Sequence, residues 1–322
     1  MVNILKYEIN YANSLGSRVL DDGIKIPYFS LNKEIKQNQE EIYQAIKEVV
    51  SKVLPKKRKK TALLVGTALV DWYLVDAINA CAYEQKEPYS SKKRSIDSYA
   101  KDLSIEFGLS GFTQTINTAC TSSANALLEA RNLINAGVLE YVIVVGFEVY
   151  SPVMSSGFYS MDLLSKSKPK PFAKDRDGLV LGEGVGAMLL GKQESSWELL
   201  GGFSNCNSET ITSVSSSGDE CVEVMHKALK NSALHVEDIT AIKAHATGSW
   251  ANDEAEMNAI KKVFQKKPEI ITLKQHIGHT IGASGVLEIG YLMQTARDNG
   301  TFMCNYFGFG GNNISLILRK KA

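Results

Sequence analysis

The stretch of this chain best suited to chemistry contains a cysteine. Cys120 lies in the sequence INTACTSS at residues 116–123, directly before an Ala- and Leu-rich run at 124–136 that has high helix propensity. We therefore expect Cys120 at or near the first turn of a helix, where Thr and Ser side chains satisfy free backbone N–H groups. The positive end of the helix dipole would favour its thiolate. A thiolate suits the transfer of an acyl group between thioesters, because it is both a nucleophile and a good leaving group.

Three further stretches place polar and Gly-rich sequence where a strand pattern ends or a helix pattern begins. They are HATGSWAND at 245–253, KQHIGHTIGASG at 274–285 and NYFGFGGN at 305–312. Enzymes built on open α/β sheets keep their catalytic groups at such places. Taken singly, each stretch also has a purely structural interpretation. His245 could be a hydrogen-bonded histidine at a strand end, the glycines could serve tight turns, and Cys120 could be an inert core thiol.

The surrounding pattern predicts strands that alternate with helices, which indicates an α/β fold. Two halves, 1–193 and 197–322, carry similar sets of elements, which suggests a duplicated unit. The first half contains the cysteine, and the second contains both histidine motifs and the GFGG loop. We expect residues 151–170 to be irregular and 274–285 to be a loop. The predicted strands lie at 2–11, 61–66, 141–149, 185–190, 199–203, 239–244, 269–273, 301–307 and 314–319, and the predicted helices at 37–53, 71–83, 95–107, 124–136, 219–234, 252–266 and 286–297.

Composition excludes several classes of function. The chain has 322 residues, of which 44% are apolar and 22% charged, values that are ordinary for a globular protein. A net charge of +1 gives no reason to expect nucleic acid binding. No apolar run approaches the roughly 20 residues that would span a membrane, and the first ten residues carry no signal-peptide pattern. The five cysteines lack metal-site spacing, so we expect no metal, reduced thiols and a cytoplasmic location.

Together and in this order, these stretches resemble the β-ketoacyl synthase family, the condensing enzymes of the thiolase fold. A fifth motif of the family is similar to PFAKDRDGLVLGEG at 171–184, and the resemblance extends over about residues 95–319. It implies a thiolase-like fold with two similar α/β halves packed as five layers, αβαβα. It also implies an acyltransferase, a β-ketoacyl-acyl carrier protein synthase. Such an enzyme condenses an acyl thioester on Cys120 with malonyl-acyl carrier protein, loses CO₂ and gives a 3-oxoacyl thioester in fatty acid, polyketide or polyene synthesis.

The resemblance assigns the catalytic roles residue by residue. Cys120 matches the nucleophile, and His245 and His279 match the two histidines that serve decarboxylation of malonyl. Lys274 matches the lysine that precedes the second histidine by five residues, and Glu256 matches the carboxylate that holds it. Two neutral imidazoles can donate to the enolate oxygen formed on loss of CO₂, and a buried cation nearby would keep them neutral. Histidine at position 279 is typical of the elongating members, since the initiating type has asparagine there.

The resemblance also implies how the substrate is held. Thr247 and Ser249 match the hydroxyls that bind the phosphopantetheine arm. Phe309 matches the gating aromatic residue of the GFGG loop, whose backbone N–H joins that of Cys120 in an oxyanion hole. Two positions depart from the family pattern. Ala246 replaces a glycine and is expected to crowd the pantetheine channel, and Ala173 replaces an acidic residue.

Two other functions remain open at this point. The chain is shorter than elongating members usually are, so it could be a catalytically weak partner subunit of the chain-length-factor type, paired with an active ketosynthase paralogue. Such partners usually lack the nucleophile, which is present here. It could also be a thiolase-type enzyme acting on coenzyme A esters. That activity needs a second cysteine in the C-terminal glycine loop, and Cys304 lies within a predicted strand instead.

The implied partners follow from the family's chemistry. An acyl carrier protein would bring its own phosphopantetheine, so no bound cofactor is expected. The protein is expected to form a homodimer, or a heterodimer with a ketosynthase paralogue. Carrier proteins are typically acidic, so the lysine clusters at 56–60, 92–94 and 166–174 are candidate docking surfaces.

Overall fold

The computed structural model describes residues 1–20, 22–32, 35, 39–69, 95–206 and 215–321. The predicted helix at 71–83, the cysteine at position 81 and the lysine cluster at 92–94 lie outside these residues. Within them, thirteen strands and eight α-helices are present. The helices are α1 (Gln39–Val53), α2 (Ser98–Glu106), α3 (Ser122–Asn135), α4 (Pro152–Ser160), α5 (Asp219–Asn231), α6 (Trp250–Val263), α7 (Lys274–Ile277) and α8 (Ser284–Thr295).

Ten strands form one large sheet, and three form a small one. The strands are β1 (Val2–Tyr11), β2 (Leu15–Val19), β3 (Lys25–Phe29), β4 (Thr61–Gly66), β5 (Thr113–Ile116), β6 (Tyr141–Glu148), β7 (Leu181–Gly182), β8 (Gly184–Gly191), β9 (Trp197–Cys206), β10 (Ala241–Lys243), β11 (Glu269–Ile271), β12 (Gly300–Phe307) and β13 (Asn312–Lys320). The small sheet has the order β2-β3-β7. Strands β1 and β4 have the bounds that the sequence predicts.

The large sheet contains the same five-strand arrangement twice. Its order is β5-β4-β6-β8-β1 followed by β9-β13-β12-β10-β11. In the first group β4 is parallel to β5 and β6, whereas β8 is antiparallel to β6 and β1. In the second group β10 is parallel to β11 and β12, whereas β13 is antiparallel to β12 and β9. The groups join where β1 pairs with β9 through Val2 and Leu199. The two groups therefore share one topology, while the boundaries 1–193 and 197–322 remain a prediction.

The helices and the two five-strand groups form five layers. Side chains alternate across each strand, so Leu63 and Val65 of β4 pack against α1 and α2, whereas Ala62 and Leu64 face α3 and α8. Helices α5 and α6 cover the outer face of the second group. Because both faces of the sheet are covered, β6 and β8 are continuous apolar runs rather than alternating ones. The predicted α/β fold with five layers is confirmed.

Two segments that we expected to be irregular contain helices. Helix α4 lies within 151–170: the Ser151 hydroxyl accepts a hydrogen bond from the Met154 N–H, and Pro152 occupies the first turn. This Ser-Pro start is a recognised N-terminal signal, and the polar composition of the segment obscured it. The predicted loop at 274–285 contains α7, a 3₁₀ turn (Ile281–Ala283) and the first residues of α8.

Glycines hold the start of α3 close to β4 and α8. A Cβ atom on Gly66, at the carboxyl end of β4, would lie 2.3 Å from Ser123 Cα. A Cβ on Gly285 would lie 2.2 Å from the backbone nitrogen of Ala124. Neither position has room for a side chain, since such contacts are far below van der Waals distance. The residues just after Cys120 are therefore packed backbone to backbone against both neighbours.

None of the helices in the described ranges is long and apolar enough to cross a membrane.

Candidate active site

Cys120 lies one residue before Thr121, which is at the N-cap position of α3 but, contrary to our expectation, makes no capping hydrogen bond through its side chain. Only 4% of the surface of Cys120 is exposed. Ala119 beside it adopts a left-handed backbone conformation with φ of 53°. This conformation is disfavoured for a residue with a Cβ and needs support from its surroundings. The support includes a hydrogen bond from the Thr118 N–H to the Ser122 hydroxyl, 2.9 Å long. The sharp turn aims the thiol into a cavity between the two halves of the sequence.

Both predicted histidines face this thiol. His279 Nε2 lies 3.1 Å from Cys120 Sγ. His245 follows β10, and its ring centroid is 5.4 Å from that of His279, with the two planes at 86°. Both side chains are buried. The structure thus brings Cys120 together with two histidines that lie more than a hundred positions further along the sequence.

Lys274 fixes the proton position on His245. Its Nζ lies 3.2 Å from His245 Nδ1 and 2.5 Å from Glu288 Oε1. A protonated lysine has donors only, so Nδ1 must accept the hydrogen bond. A neutral His245 then carries its proton on Nε2 and can act as a hydrogen-bond donor through that atom.

The prediction that Glu256 holds Lys274 is wrong. Glu256 instead accepts hydrogen bonds from the backbone N–H groups of His245 and Ala246, each 2.8 Å long. The carboxylate that pairs with Lys274 is Glu288, on α8. Glu256 is nearly two turns into α6 on the side of β10, so it reaches the backbone of the histidine motif rather than the lysine. It therefore supports His245 through the main chain.

Sequence reasoning missed Glu288 and a second lysine, Lys243. Glu288 also binds Lys243 Nζ through its other oxygen, and both side chains are fully buried. Each was visible as an isolated charge in an apolar segment, VLEIGYLM for Glu288 and AIKA for Lys243. A charge in such a segment signals a buried partner, because an unpaired buried charge is very costly.

Burial and nearby cations keep the imidazoles neutral. Burial lowers the pKa of His245 well below its ordinary value, and the charge of Lys274 lowers it further. Burial, followed by Lys274 and Lys243, lowers the pKa of His279 in the same direction. The sequence-based expectation that a buried cation would disfavour imidazolium agrees with these directions. At neutral pH both rings are available as neutral donors and acceptors.

The expectation of a stabilised thiolate at Cys120 is wrong for the resting protein. Burial raises the pKa of the thiol to about 12. The charge of Lys274 and the backbone N–H of Phe309 act in the opposite direction but do not outweigh burial. Position at a helix start is visible in the sequence, whereas the depth of burial is not. Cys120 therefore rests as a neutral thiol beside a neutral His279.

The predicted oxyanion hole has the expected neighbours. The Phe309 N–H donates to Cys120 Sγ, and a Cβ on Gly308 would lie 3.2 Å from the backbone nitrogen of Cys120. The Gly308 N–H donates to the Asn312 carbonyl at 2.7 Å, which closes the loop. The Phe309 ring stacks on Phe158 with centroids 5.4 Å apart. Two backbone N–H groups can thus donate hydrogen bonds to the oxygen of an acyl group attached to the sulfur.

These groups line a cavity of about 520 Å³. Thr247 and Ser249 line it too, and their hydroxyl oxygens are 3.1 Å apart. Trp250, which is 57% exposed, stands at its edge. Much of the remaining wall is apolar, with contributions from Phe158, Met161, Leu163, Leu179 and Phe307. The cavity can therefore take a chain that is apolar along its length and polar at one end.

Ala246 does not crowd this cavity, contrary to our expectation. It is fully buried and is not among the lining residues. The consequence of replacing glycine is instead conformational, since Ala246 has a φ of 47°, in the left-handed region. The two hydrogen bonds to Glu256 hold this turn, so the strain is carried by the same carboxylate that positions His245.

Two more buried carboxylates connect the motifs to each other. Glu148 accepts hydrogen bonds from the N–H groups of Ala68 and Gly282, which ties the end of β4 to the loop after His279. Asp253 accepts from the N–H groups of Phe172 and Gly248. Through these two contacts, Asp253 holds the 171–184 motif against the 245–253 motif.

The second thiol that a thiolase-type reaction would need is not found at the cavity in the described part of the chain. Cys304 is fully buried in β12 and does not line the cavity, so it gives no second thiol for a thiolase-type reaction. Across the ranges that the structure describes, no group of three or more His, Cys, Asp or Glu side chains is arranged to hold a metal ion.

Comparison with known proteins gives two matching family models. The model described as Beta-ketoacyl synthase, N-terminal domain, matches residues 36–196. The model described as Beta-ketoacyl synthase, C-terminal domain, matches residues 198–300. The two matches are consecutive and cover most of the chain.

Curated relatives and solved structures agree with these matches. The chain is 34% identical over 203 residues to 3-oxoacyl-[acyl-carrier-protein] synthase I, chloroplastic, of Arabidopsis thaliana, covering 58% of this chain and 43% of that protein. It is 27% identical over 310 residues to the synthase II, chloroplastic, of the same plant, covering 81% of this chain and 57% of that protein. The chain thus spans about half the length of these relatives.

A solved complex of the ketosynthase ApeO with its chain length factor ApeC, from Xenorhabdus doucetiae, contains a chain with the same fold. The TM-score is 0.84 and the identity 22%, over 99% of this chain and 98% of that one.

The resting protonation of Cys120 predicts how its alkylation depends on pH. With a pKa near 12, the reactive thiolate fraction should grow about tenfold per pH unit. The rate of iodoacetamide labelling at Cys120, followed by peptide mass spectrometry from about pH 7 to about pH 10, should therefore rise throughout. Labelling of exposed Cys206 in the same samples is the control for the activity of the iodoacetamide. A plateau at Cys120 below about pH 9 would show instead that the helix start stabilises the thiolate.

Proposed function

The chain belongs to the beta-ketoacyl synthase family, and we propose that it catalyses decarboxylating condensation of an acyl thioester with malonyl-acyl carrier protein. The observation that carries this proposal is the placement of Cys120, His245 and His279 around one cavity, with both imidazoles neutral. The products are a 3-oxoacyl-acyl carrier protein and CO₂. The names of the curated relatives, which are 3-oxoacyl-[acyl-carrier-protein] synthases, support the same activity.

The first step loads the acyl group onto Cys120. The sulfur attacks the thioester carbonyl of the acyl carrier protein, and His279 Nε2, 3.1 Å away, accepts the thiol proton. The oxyanion that forms binds to the backbone N–H groups of Cys120 and Phe309. When the intermediate collapses, the carrier's sulfur leaves and takes the proton from His279. One thioester is broken and one is formed, and the site returns to a neutral state.

The second step forms the carbon–carbon bond. Malonyl on a carrier loses CO₂, and the electron pair of the broken bond becomes an enolate next to the thioester. The Nε2–H groups of His245 and His279 can donate to the enolate oxygen. The first step leaves the proton of His279 on Nδ1, so this proton must exchange to Nε2 before the ring can donate to the enolate. Ser284 Oγ, 3.4 Å from Nδ1, can accept a hydrogen bond from the ring before the exchange and donate one to it afterwards. The enolate carbon then attacks the acyl group on Cys120 and releases the thiolate, which takes up a proton.

Both steps balance with groups of the chain and of the carrier, apart from one solvent proton that the Cys120 thiolate takes up after condensation. We therefore propose that no bound cofactor takes part and that phosphopantetheine arrives on the acyl carrier protein. In this proposal Thr247 and Ser249 bind its arm at the cavity wall, and Phe309, stacked on Phe158, gates the path to Cys120. Because Cys120 must be a thiol, we propose a reducing compartment such as the cytoplasm.

The second candidate function is a partner subunit of the chain-length-factor type. The specific observation in its favour is the likeness in fold to a chain from a complex of a ketosynthase with its chain length factor. In that case the protein would form a heterodimer with an active paralogue rather than a homodimer. The complete set of Cys120, His245, His279 and Lys274 favours the enzyme.

Acylation of Cys120 tests this choice. The protein is incubated with short and medium acyl thioesters of an acyl carrier protein, and its intact mass is measured. We expect a gain equal to one acyl group, which is absent from a Cys120→Ala variant, because no other described cysteine lines the cavity. A folded protein that takes up no acyl group from any donor would support the partner subunit instead.

We propose that the lysine cluster at 166–174, rather than the one at 56–60, binds the carrier. The chain from Lys166 to Lys174 leads directly into Asp177 and Gly178 at the cavity wall. The cluster at 56–60 precedes the amino end of β4, whereas Cys120 lies near the carboxyl end of that strand. In addition, Glu140 already pairs with Lys57 and Lys60.

Charge reversal distinguishes the two clusters. In the double variant Lys168→Glu, Lys174→Glu, the KM for acyl-acyl carrier protein should rise about tenfold or more, equivalent to about 1.4 kcal/mol, with kcat little changed. Both lysines are exposed, as are those of the control variant Lys56→Glu, Lys59→Glu, which should behave like the native protein. A free acyl-pantetheine thioester should react equally with all three proteins. An unchanged KM in the first variant would remove 166–174 as the docking surface.

A further inference from the structure

Lys243 is a fully buried cation for which the proposed reaction gives no role so far. It is the last residue of β10, two positions before His245. Its Nζ donates to Glu288 and to the Asn305 carbonyl, the latter at 2.9 Å, and lies 3.5 Å from the centroid of the Tyr306 ring. No atom of its side chain is exposed.

Glu288 is shared between two lysines. One carboxylate oxygen binds Lys243, and the other binds Lys274, which in turn contacts His245 Nδ1. With both oxygens occupied, the carboxylate cannot rotate without breaking an ion pair. The contacts form a continuous chain from Lys243 through Glu288 and Lys274 to His245.

Stability alone does not account for this arrangement. Two lysines and one glutamate leave an excess positive charge in a buried site, and burying a charge without a counter-charge is unfavourable. The Tyr306 ring and the Asn305 carbonyl offset part of the cost. Removal of one partner of a buried ion pair is costly mainly because it leaves the other charge unpaired, but without Lys243 the carboxylate of Glu288 still has Lys274 as its counter-charge. A cation retained here is therefore best explained by its effect on the neighbouring groups.

We propose that Lys243 is a positioning residue for the decarboxylation step: by holding the second oxygen of Glu288, it fixes Lys274 against His245, so that His245 presents an Nε2–H to the cavity. This inference rests on the function proposed above, because it concerns the enolate that His245 would stabilise. Lys243 itself does not line the cavity.

The charge of Lys243 acts on the same step. It lowers the pKa of His245 and of His279, after burial and Lys274. Among the described residues, the other titratable groups packed around this cluster are Asp253 and Glu256 on α6, Cys304 and Tyr306 on β12 and Cys120 at the start of α3. Without Lys243, protonation of either ring becomes easier, and an imidazolium at His245 can no longer accept from Lys274.

The test compares Lys243→Met with Lys243→Gln. Methionine keeps the length of the side chain but removes charge and donors, whereas glutamine keeps donors for Glu288. Lys227→Met is a matched control, because Lys227 also pairs with a glutamate, Glu223, and lies over an aromatic ring but is exposed and distant from the cavity. Urea unfolding of each variant checks the fold first.

In Lys243→Met we expect kcat for CO₂ release from malonyl-acyl carrier protein to fall about 10- to 100-fold, since misplacement of a catalytic group by about 1 Å has such effects. KM and the rate of Cys120 acylation should stay within about threefold, and unfolding should not occur at lower urea. The acidic limb of the pH–rate profile should move to higher pH, because the histidine pKa values rise. Lys243→Gln should recover most of kcat but keep the shifted limb.

Two results would overturn the proposal. One is a Lys243→Met variant in which both kcat and the acidic limb of the pH–rate profile are unchanged. The other is an equal loss of acylation and decarboxylation together with lower stability, which would mark Lys243 as merely structural.

A spectroscopic readout separates this proposal from the proposed function. Long-range ¹H–¹⁵N spectra of the native protein should show His245 as the Nε2–H tautomer, assigned with a His245→Asn variant. In Lys243→Met the second tautomer or the imidazolium should appear at a pH where the native protein shows neither. An unchanged His245 signal would overturn the proposal. Native protein that releases no CO₂ would contradict the proposed function, and the spectra would still decide the role of Lys243.

Discussion

The neutral state of two buried imidazoles is the condition on which the rest of this site depends. His245 and His279 can donate to an oxygen only if each ring holds one proton in the right place. Burial and the charge of Lys274 keep both pKa values low, and the Lys274 contact assigns the proton of His245. The same burial makes Cys120 a poor acid, so the site rests uncharged at its reacting atoms. The charged side chains of the site, Lys274, Glu288 and Lys243, lie behind the reacting atoms rather than among them.

The fold meets this condition by bringing two similar halves together at their strand ends. Cys120 comes from the first half and the histidines from the second, and no linear stretch could hold them at these distances. Glycines at 66 and 285 let three backbones touch beside the thiol. Buried carboxylates then bind main-chain N–H groups on neighbouring motifs. The strained turn at Ala246 is held by Glu256 and the one at Ala119 by the Ser122 hydroxyl, so conformational strain is concentrated next to the reacting groups.

Hydrophobic periodicity predicted the α/β class and most of the elements, because it is a local property of the sequence, and the family resemblance implied the five layers and the reacting residues at the cavity. The resemblance assigned the wrong carboxylate to Lys274, since Glu256 and Glu288 lie on the helices before and after it and only packing decides which one reaches the lysine. Sequence reasoning also placed a thiolate at Cys120, because a helix start can be read from sequence but burial cannot. The helix at Pro152–Ser160 was missed although its Ser-Pro start was visible.

A single-turnover experiment on the acylated protein tests the central claim most directly. Protein carrying one acyl group on Cys120 is mixed with malonyl-acyl carrier protein labelled in its free carboxyl group. CO₂ and the mass of the carrier-bound product are then measured together. The account predicts one CO₂ for each 3-oxoacyl-acyl carrier protein formed, with Cys120 returned to a free thiol. Loss of the acyl group without CO₂ release, or CO₂ release without a longer product on the carrier, would contradict it.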